Sequence, residues 1–392
     1  VIGSGLSAPA PARSLRPAWA EVDLDAIRHN ASVMREEVAP ARLCAVVKAG
    51  GYGHGAVEVA GAALDGGASW LAVALVEEGL ELRAAGIGAP VLLLSEPPAA
   101  AMPEVVAAAL TPTLYTAGGQ QALTEAVGAA RVEAFPVHVK VDTGMHRVGA
   151  SPADAVGLAA AVDRERGLRL EGIWTHLAVS DEVEDPYTGG QLAAFESALA
   201  SLETAGVRAE IRHAANSGGA LWHPGSRYDL VRCGIALYGL APAADGLERG
   251  AAALLRPALS LRARVSYVKR VAAGERLSYG LRYRLAHDSV IATVPLGYAD
   301  GVTRSLAAAG ASVLVGGVRR PLAGTVTMDQ VLVDCGPESS VAAGDEVVLL
   351  GRQGNEEITA WEWASYTGTI AYEVVCGVSG RVPRVYLSGR GA

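Results

Sequence analysis

Between residues 40 and 240 the chain alternates eight times between a short apolar run and a more polar stretch, several of them Ala- and Glu-rich with a helical period. The runs are Leu43–Val47, Trp70–Leu75, Pro90–Leu94, Thr111–Tyr115, Phe135–Val141, Leu170–His176, Glu210–Ala214 and Leu230–Leu237. Segments such as Val57–Leu64, Ser151–Arg166 and Gln191–Ala205 lie between them. Apolar strands that alternate with helices require a parallel sheet covered on both faces. Eight such units are what a (β/α)8 barrel needs. The expected fold is therefore α/β: residues 15–250 form a TIM barrel, and residues 251–392 form a mainly β domain.

Beyond Leu254 the texture changes. Short runs at Leu259–Val271, Val290–Pro295, Ser312–Val315, Val331–Val333, Glu346–Leu350 and Val382–Tyr386 are separated by Gly and Pro, and only Glu357–Tyr366 has a helical pattern. The segment Ala241–Gly250 has the composition of a linker. Residues 1–14, rich in Gly, Ser, Pro and Ala, read as a flexible tail. They hold no basic region followed by an apolar core, so they are not a secretion signal.

A net charge of -8 argues against nucleic acid and anionic membrane as partners, and no apolar run reaches membrane-spanning length. Four cysteines without a C-x-x-C pair suit a reducing, cytoplasmic setting and no metal. An anionic ligand must then be held by local cations.

A barrel places its chemistry at the C-terminal ends of its strands. One polar residue there needs no function, but here five strands supply them. Lys48 ends the first run; Lys140 and Asp142 end the fifth, followed by Arg147; His176 ends the sixth. Asn216 and Ser217 follow the seventh, and Arg232 lies in the eighth.

Lysine is scarce: the 33 basic residues include only Lys48, Lys140 and Lys269. Arginine replaces lysine wherever charge alone matters, but it cannot lose its proton to act as an amine. Lys48 at a strand end therefore reads as a Schiff-base lysine. Ser217, the Gly218-Gly219 turn and the Gly234-Ile235 amides suit a phosphate. Together these point to pyridoxal phosphate, with Arg232 against the pyridine nitrogen.

Two other readings fit parts of the pattern. Gly51-Tyr52-Gly53-His54-Gly55-Ala56 matches a dinucleotide fingerprint, but no ribose-binding acid ends the second strand, and eight βα units overshoot a six-stranded sheet. His138, Lys140, Asp142 and His176 would suit a metal-dependent barrel hydrolase, but the first strand offers no H-x-H pair.

The chain resembles alanine racemase, a fold-type III pyridoxal-phosphate family, from about Trp19 to Tyr386. Nine separated stretches carry the likeness: "AVVKAGGYGHG", "VHVKVDTGMHRVG", "THLAVSDEVEDPYTGGQLAAF", "HAANSGGAL", "RCGIALYGL", "LSYG", "PLGYADG", "MDQ" and "TGTIAYEV". The resemblance implies that Lys48 holds the cofactor and is one base. Tyr279 would be the opposite base, reaching in from a partner subunit, backed by His176 and Arg232. Arg147 would bind the substrate carboxylate, with Met328 and Asp329 completing the pocket from the partner. Tyr52, Ser217, Gly234, Ile235 and Tyr372 would hold the phosphate, supported by Asn216, and Lys140 falls at a position carbamylated in many members.

Three residues depart from the family pattern. Gly50 stands where Asn or Asp is usual, His146 where glycine is common, and Thr325 where arginine often precedes the Val-x-Met-Asp motif. The implied activity is racemisation of alanine for peptidoglycan by a cytoplasmic homodimer with shared active sites. A broad-specificity amino-acid racemase of the same fold is the alternative.

Overall fold

The computed structural model describes residues 15–389, which form two compact units. One is Asp25–Arg256; the other joins the residues up to Leu24 to those from Pro257 onward. The expected flexible tail, residues 1–14, lies outside the described residues. The first strand, β1 (Ala18–Asp23), belongs to the second unit, whereas the sequence reading began the barrel at residue 15.

Eight parallel strands make up the core of the Asp25–Arg256 unit. They are β2 (Arg42–Val46), β3 (Trp70–Val73), β4 (Val91–Leu93), β5 (Thr113–Leu114), β6 (Phe135–Lys140), β7 (Leu168–Trp174), β8 (Ile211–His213) and β9 (Leu230–Cys233). They pair in the order β4-β3-β2-β9 and β5-β6-β7-β8. The parallel bridge Leu92–Thr111 joins β4 to the chain entering β5. The Asp229 and Arg232 amides donate to the Arg212 and Ala215 carbonyls, both at 3.0 Å, and join β8 to β9. These bonds close the ring, as a (β/α)8 barrel requires.

Apolar side chains are buried on both faces of these strands, as a covered parallel sheet requires. Trp174, Leu43, Leu71 and Leu92 are fully buried, each large aliphatic stabilising the fold by about 1.5–3 kcal/mol. The outer helices present matching stripes. Pro152–Arg164 buries Ala155, Leu158, Ala159 and Val162, the i, i+3, i+4, i+7 spacing of one helical face. Its start is fixed by Ser151, whose hydroxyl accepts the Asp154 amide, with proline in the first turn. The eighth run ends earlier than the sequence suggested, because Gly234 turns the chain into the 3-10 turn Ile235–Tyr238.

In the second unit, the apolar stretch Leu259–Val271 is not one strand. It divides into β10 (Leu259–Arg264) and β11 (Tyr267–Val271), which lie in different sheets. Between them the Val265 amide donates to Asp345 and the Ser266 amide to Thr293, so the chain changes partners there. The remaining strands are β12 (Arg276–Leu277), β13 (Tyr283–Arg284), β14 (Ser289–Val294), β15 (Ser312–Val315), β16 (Val318–Pro321), β17 (Val331–Asp334), β18 (Glu346–Gln353), β19 (Glu356–Ile358) and β20 (Arg384–Leu387). The large sheet runs β16-β15-β18-β10-β1-β20, with β19 on β18, and β11-β14-β17 form a second. Leu261, Ala263, Val294, Val313, Val347, Leu349 and Trp363 share their buried core. The expected helix near Glu357–Tyr366 is Ala360–Thr367, and short helices at Ser305–Ala308 and Ala371–Cys376 accompany it.

Candidate active site

β2 runs directly into the Lys48 turn. Ala49, Gly50, Gly51 and Tyr52 all have positive φ, between 51° and 63°, which makes one left-handed turn. The Ala49 amide donates to a Glu78 carboxylate oxygen at 2.6 Å, and the other oxygen accepts the Ala74 and Leu75 amides. Tyr238 lies beneath. Its hydroxyl donates to the Val46 carbonyl at 3.0 Å, and its ring stands 4.8 Å from that of Tyr52. Glu78 and Tyr238 therefore set the conformation of the lysine turn, and sequence reasoning missed both. Only proximity in the fold shows what they do.

This turn explains Gly50. Its φ is +58°, and a Cβ there would meet nothing within 4 Å. The constraint is backbone conformation and not space: glycine takes this φ without strain, and asparagine and aspartate with less than other side chains. His146 also has a positive φ, 54°, which suits the glycine common at this position but does not explain the histidine. The His146 and Gly144 amides donate to Asp142 at 3.0 Å. Burial opposes ionisation of Asp142, but these amides hold its pKa below the ordinary value.

On the neighbouring strand β9, Arg232 is 2% exposed. It donates to Nδ1 of His213 at 2.8 Å, to the Thr175 and Ala214 carbonyls at 2.8 and 2.9 Å, and to Nδ1 of His176 at 3.1 Å. None of these partners carries negative charge, so the guanidinium is a buried, uncompensated cation. Trp174 supports it, with the guanidinium carbon 4.4 Å from the ring centroid. Burial and then the Arg232 charge hold His176 well below its ordinary pKa. His176 is therefore neutral, and since its Nδ1 accepts from Arg232, its proton sits on Nε2.

Lys140 is 3% exposed, and its ammonium nitrogen lies 4.3 Å from the Trp174 ring centroid. Burial, Arg232 and Arg147 lower its pKa to about 7. Lys48, Lys140, Arg147 and Arg232 all act on His176, so the C-terminal rim of the barrel is a basin of positive potential.

The turns after β8 and β9 meet beside it. Asn216 caps the turn at Ser217, with its carbonyl oxygen accepting the Gly219 amide at 2.9 Å and the Ser180 hydroxyl at 2.7 Å. The Ser217 hydroxyl oxygen accepts the Gly234 amide at 3.0 Å. That amide, expected to face phosphate, is thus engaged, but the Ser217 proton is left to be donated. A Cβ at Gly234 would lie 2.4 Å from the Tyr52 hydroxyl oxygen, so Tyr52 closes against this turn only because residue 234 is glycine. Ile235 opens the 3-10 turn that follows.

The barrel thus gathers Lys48, Tyr52, Lys140, Arg147, His176, Asn216, Ser217, Arg232, Gly234 and Ile235. Tyr279, Met328, Asp329 and Tyr372 belong to the second unit. There Tyr279, Met328 and Asp329 line one pocket with Tyr298 and Arg304, and Tyr372 lies on the helix Ala371–Cys376. Tyr279 is 74% exposed. Thr325, unexplained by sequence, clamps it: the Thr325 hydroxyl donates to the Tyr279 carbonyl at 2.8 Å, and the Thr325 carbonyl accepts the Ser278 hydroxyl at 2.6 Å. The reading as a metal-dependent hydrolase loses His138. Both nitrogens of His138 are engaged, by His213 and Glu171, and the described residues contain no group of three His, Cys, Asp or Glu side chains placed to hold a metal.

Comparison with known proteins covers both units. Residues 22–242 match the family model "Alanine racemase, N-terminal domain", and residues 258–386 match "Alanine racemase, C-terminal domain". The chain is 49% identical over 372 residues to an alanine racemase of Symbiobacterium thermophilum, covering 95% of this chain and 97% of that one. It is 45% identical to one of Thermobifida fusca, with 94% and 98% covered. Among solved structures, alanine racemase from D-cycloserine-producing Streptomyces lavendulae superposes with a TM-score of 0.89 at 41% identity, covering 96% of this chain and 98% of that one. The Streptomyces coelicolor enzyme gives 0.90 at 39%, with 97% and 100% covered. The chain belongs to the alanine racemase family.

Proposed function

We propose that the protein is a pyridoxal-phosphate-dependent alanine racemase, which removes the Cα proton of alanine on one face and returns a proton on the other. The observation that carries this reading is the cationic basin around Lys48. Four basic side chains, one of them the buried and uncompensated Arg232, call for anions. The cofactor phosphate and the substrate carboxylate are suitable anions. The donor set fits the cofactor: an amine at a strand end, a Ser217 hydroxyl whose oxygen already accepts an amide, and a Tyr52 phenol against a glycine turn. No helix among the described residues is long and apolar enough to cross a membrane.

Lys48 would hold the cofactor and carry one proton to or from Cα. Bound pyridoxal phosphate supplies a conjugated ring that spreads the negative charge developing at Cα. Arg232, a donor that keeps its own protons, would leave the ring nitrogen unprotonated and restrain that withdrawal. Tyr279 would serve the opposite face from a partner subunit, as suits an exposed side chain on a backbone fixed by Thr325. A phenol has an ordinary pKa near 10, so it needs the rim's positive potential and the Nε2–H of His176 to share its proton at neutral pH. Arg147 would take the substrate carboxylate, and Met328 and Asp329 would bound the pocket. Tyr372 would add a phosphate contact.

Lys140 suits carbamylation. An amine with a pKa of about 7 is largely unprotonated just above neutrality. It can add to CO2 with loss of one proton, placing a negative group among Arg147 and Arg232. We assign the enzyme to the cytoplasm as a homodimer that supplies D-alanine for peptidoglycan.

Purified protein should show the visible absorbance of a lysine-bound cofactor, and Lys48→Ala should abolish it. A colourless wild type would end the reading. Tyr279→Phe should slow Cα proton exchange far more for one enantiomer than for the other, and equal loss for both would remove its face-specific role. Assay across several amino acids separates an alanine racemase from one of broad specificity.

A further inference from the structure

We propose that His213, His138 and Glu171 are positioning residues that hold Arg232 through a relay of hydrogen bonds with fixed proton positions. This deepens the function proposed above and rests on Arg232 meeting the cofactor's ring nitrogen.

The relay follows from donor chemistry. Arginine only donates, so Nδ1 of His213, 2.8 Å from the Arg232 guanidinium, carries a lone pair. The His213 proton is therefore on Nε2, which donates to Nδ1 of His138 at 2.9 Å. The His138 proton is on its Nε2 in turn and points at a Glu171 carboxylate oxygen 3.3 Å away. The other Glu171 oxygen accepts from Arg169 at 2.9 Å, and Arg169 also holds Glu210 at 2.7 Å. If either ring adopted the other tautomer, an N–H would face an N–H. Glu171 thus fixes the proton of His138, His138 that of His213, and His213 the direction of the guanidinium.

The surrounding fold is shaped to fit the relay. His138 and His213 are both 0% exposed. The pairing of β6 with β7 slips between Val137 and His138, so Val137 pairs with Leu170 and His138 with Gly172. Glu171 is the extra residue of this bulge, and bulges re-aim side chains. Gly172 gives space to the ring, because a Cβ there would lie 2.4 Å from the His138 imidazole. Trp174 stacks on His213 with centroids 5.5 Å apart and planes at 13°, and its indole N–H is held by Thr113 at 3.2 Å. A bulge, a glycine and a stacked indole all accommodate these two buried histidines.

The test combines imidazole NMR of the holoenzyme with a pair of substitutions. Long-range 1H–15N spectra should show unprotonated Nδ1 and protonated Nε2 for both histidines. A protonated Nδ1 on His213 would overturn the proposal without any variant. Glu171→Leu removes the acceptor and should mix the His138 tautomers, shift the visible band of the bound cofactor and lower kcat about tenfold with KM nearly unchanged. Glu171→Gln keeps a carbonyl for the same N–H and should restore all three. A Leu variant identical to wild type, or a Gln variant no better than Leu, would sink the relay. Arg232→Lys separates the two levels: if it too leaves the band and kcat unchanged, the placement of Arg232 at the cofactor fails instead.

Discussion

The Ser217 hydroxyl and the Gly234 amide lie 3.0 Å apart, tying the turn after β8 to the turn after β9. Gly234 also lies so close to Tyr52 that a Cβ would stand 2.4 Å from the phenol oxygen. Gly234→Ala must displace the phenol. Overpacking costs about 1–3 kcal/mol, so pyridoxal phosphate should bind about 10- to 100-fold more weakly, while circular dichroism stays that of the wild type. Equilibrium dialysis measures this, and unchanged affinity would remove Tyr52 from the cofactor site.

Gly50 offers a test of backbone conformation free of packing, since nothing would touch its Cβ. Gly50→Asn should leave the urea midpoint nearly unchanged, because asparagine tolerates the left-handed region. Gly50→Val should cost at least about 1–2 kcal/mol. Equal losses for both variants would show that something other than φ selects the glycine.

Burial holds both His138 and His213 below the ordinary imidazole pKa. The unfolded chain takes up protons near pH 6.5, and the native protein resists them until lower pH. Below that point the unfolded state binds more protons, so the stability these groups contribute is complete above about pH 6.5 and declines as pH falls. Each residue contributes up to about 1.4 kcal/mol per pH unit. Denaturation midpoints should therefore drop between pH 7.5 and 5.5, with part of the slope removed by His138→Gln. A flat profile would mean that the rings are not held neutral.

Lys140, with its pKa lowered to about 7, opposes folding while it carries a proton in its buried site. Since the folded value lies below the unfolded one near 10.4, its contribution is complete only above that value and is lost as pH falls through about 7. Bicarbonate at pH 8 should raise Tm by converting the amine to a carbamate paired with arginine, and 13C-bicarbonate should give a carbamate resonance. Lys140→Ala should lose both. A wild type indifferent to bicarbonate would argue for an unmodified amine.

The barrel was legible because its signal is repeated. Eight alternations of strand and helix survive errors of a residue or two at each end, as with Thr111–Tyr115, which shrinks to Thr113–Leu114. The division of Leu259–Val271 was not legible, because a change of sheet at Val265 and Ser266 leaves the apolar pattern unbroken. The positions of Lys48 just after β2 and of Arg232 within β9 could be read from the sequence. Glu78, Tyr238 and His213 could not, since each acts by meeting a residue distant in sequence. Glu78 looked like an ordinary helix-opening acid until its carboxylate was seen on the Ala49 amide. The three departures from the family pattern divide by cause. Gly50 answers to φ and Thr325 to a hydrogen bond on the Tyr279 carbonyl, while nothing in the structure explains His146.

One strand has a consequence for synthesis. β1 lies between β10 and β20, with Val22 beside Tyr386. At about 5–20 residues per second, roughly 20–70 s separate the synthesis of Asp23 from that of Arg384. The whole of Asp25–Arg256 leaves the ribosome within that interval, and β1 waits with both edges bare. The barrel can close during translation, but β1, made before it, completes its pairing only once β20 has emerged. Loss of β20 would therefore bare one edge of a strand made before the whole barrel.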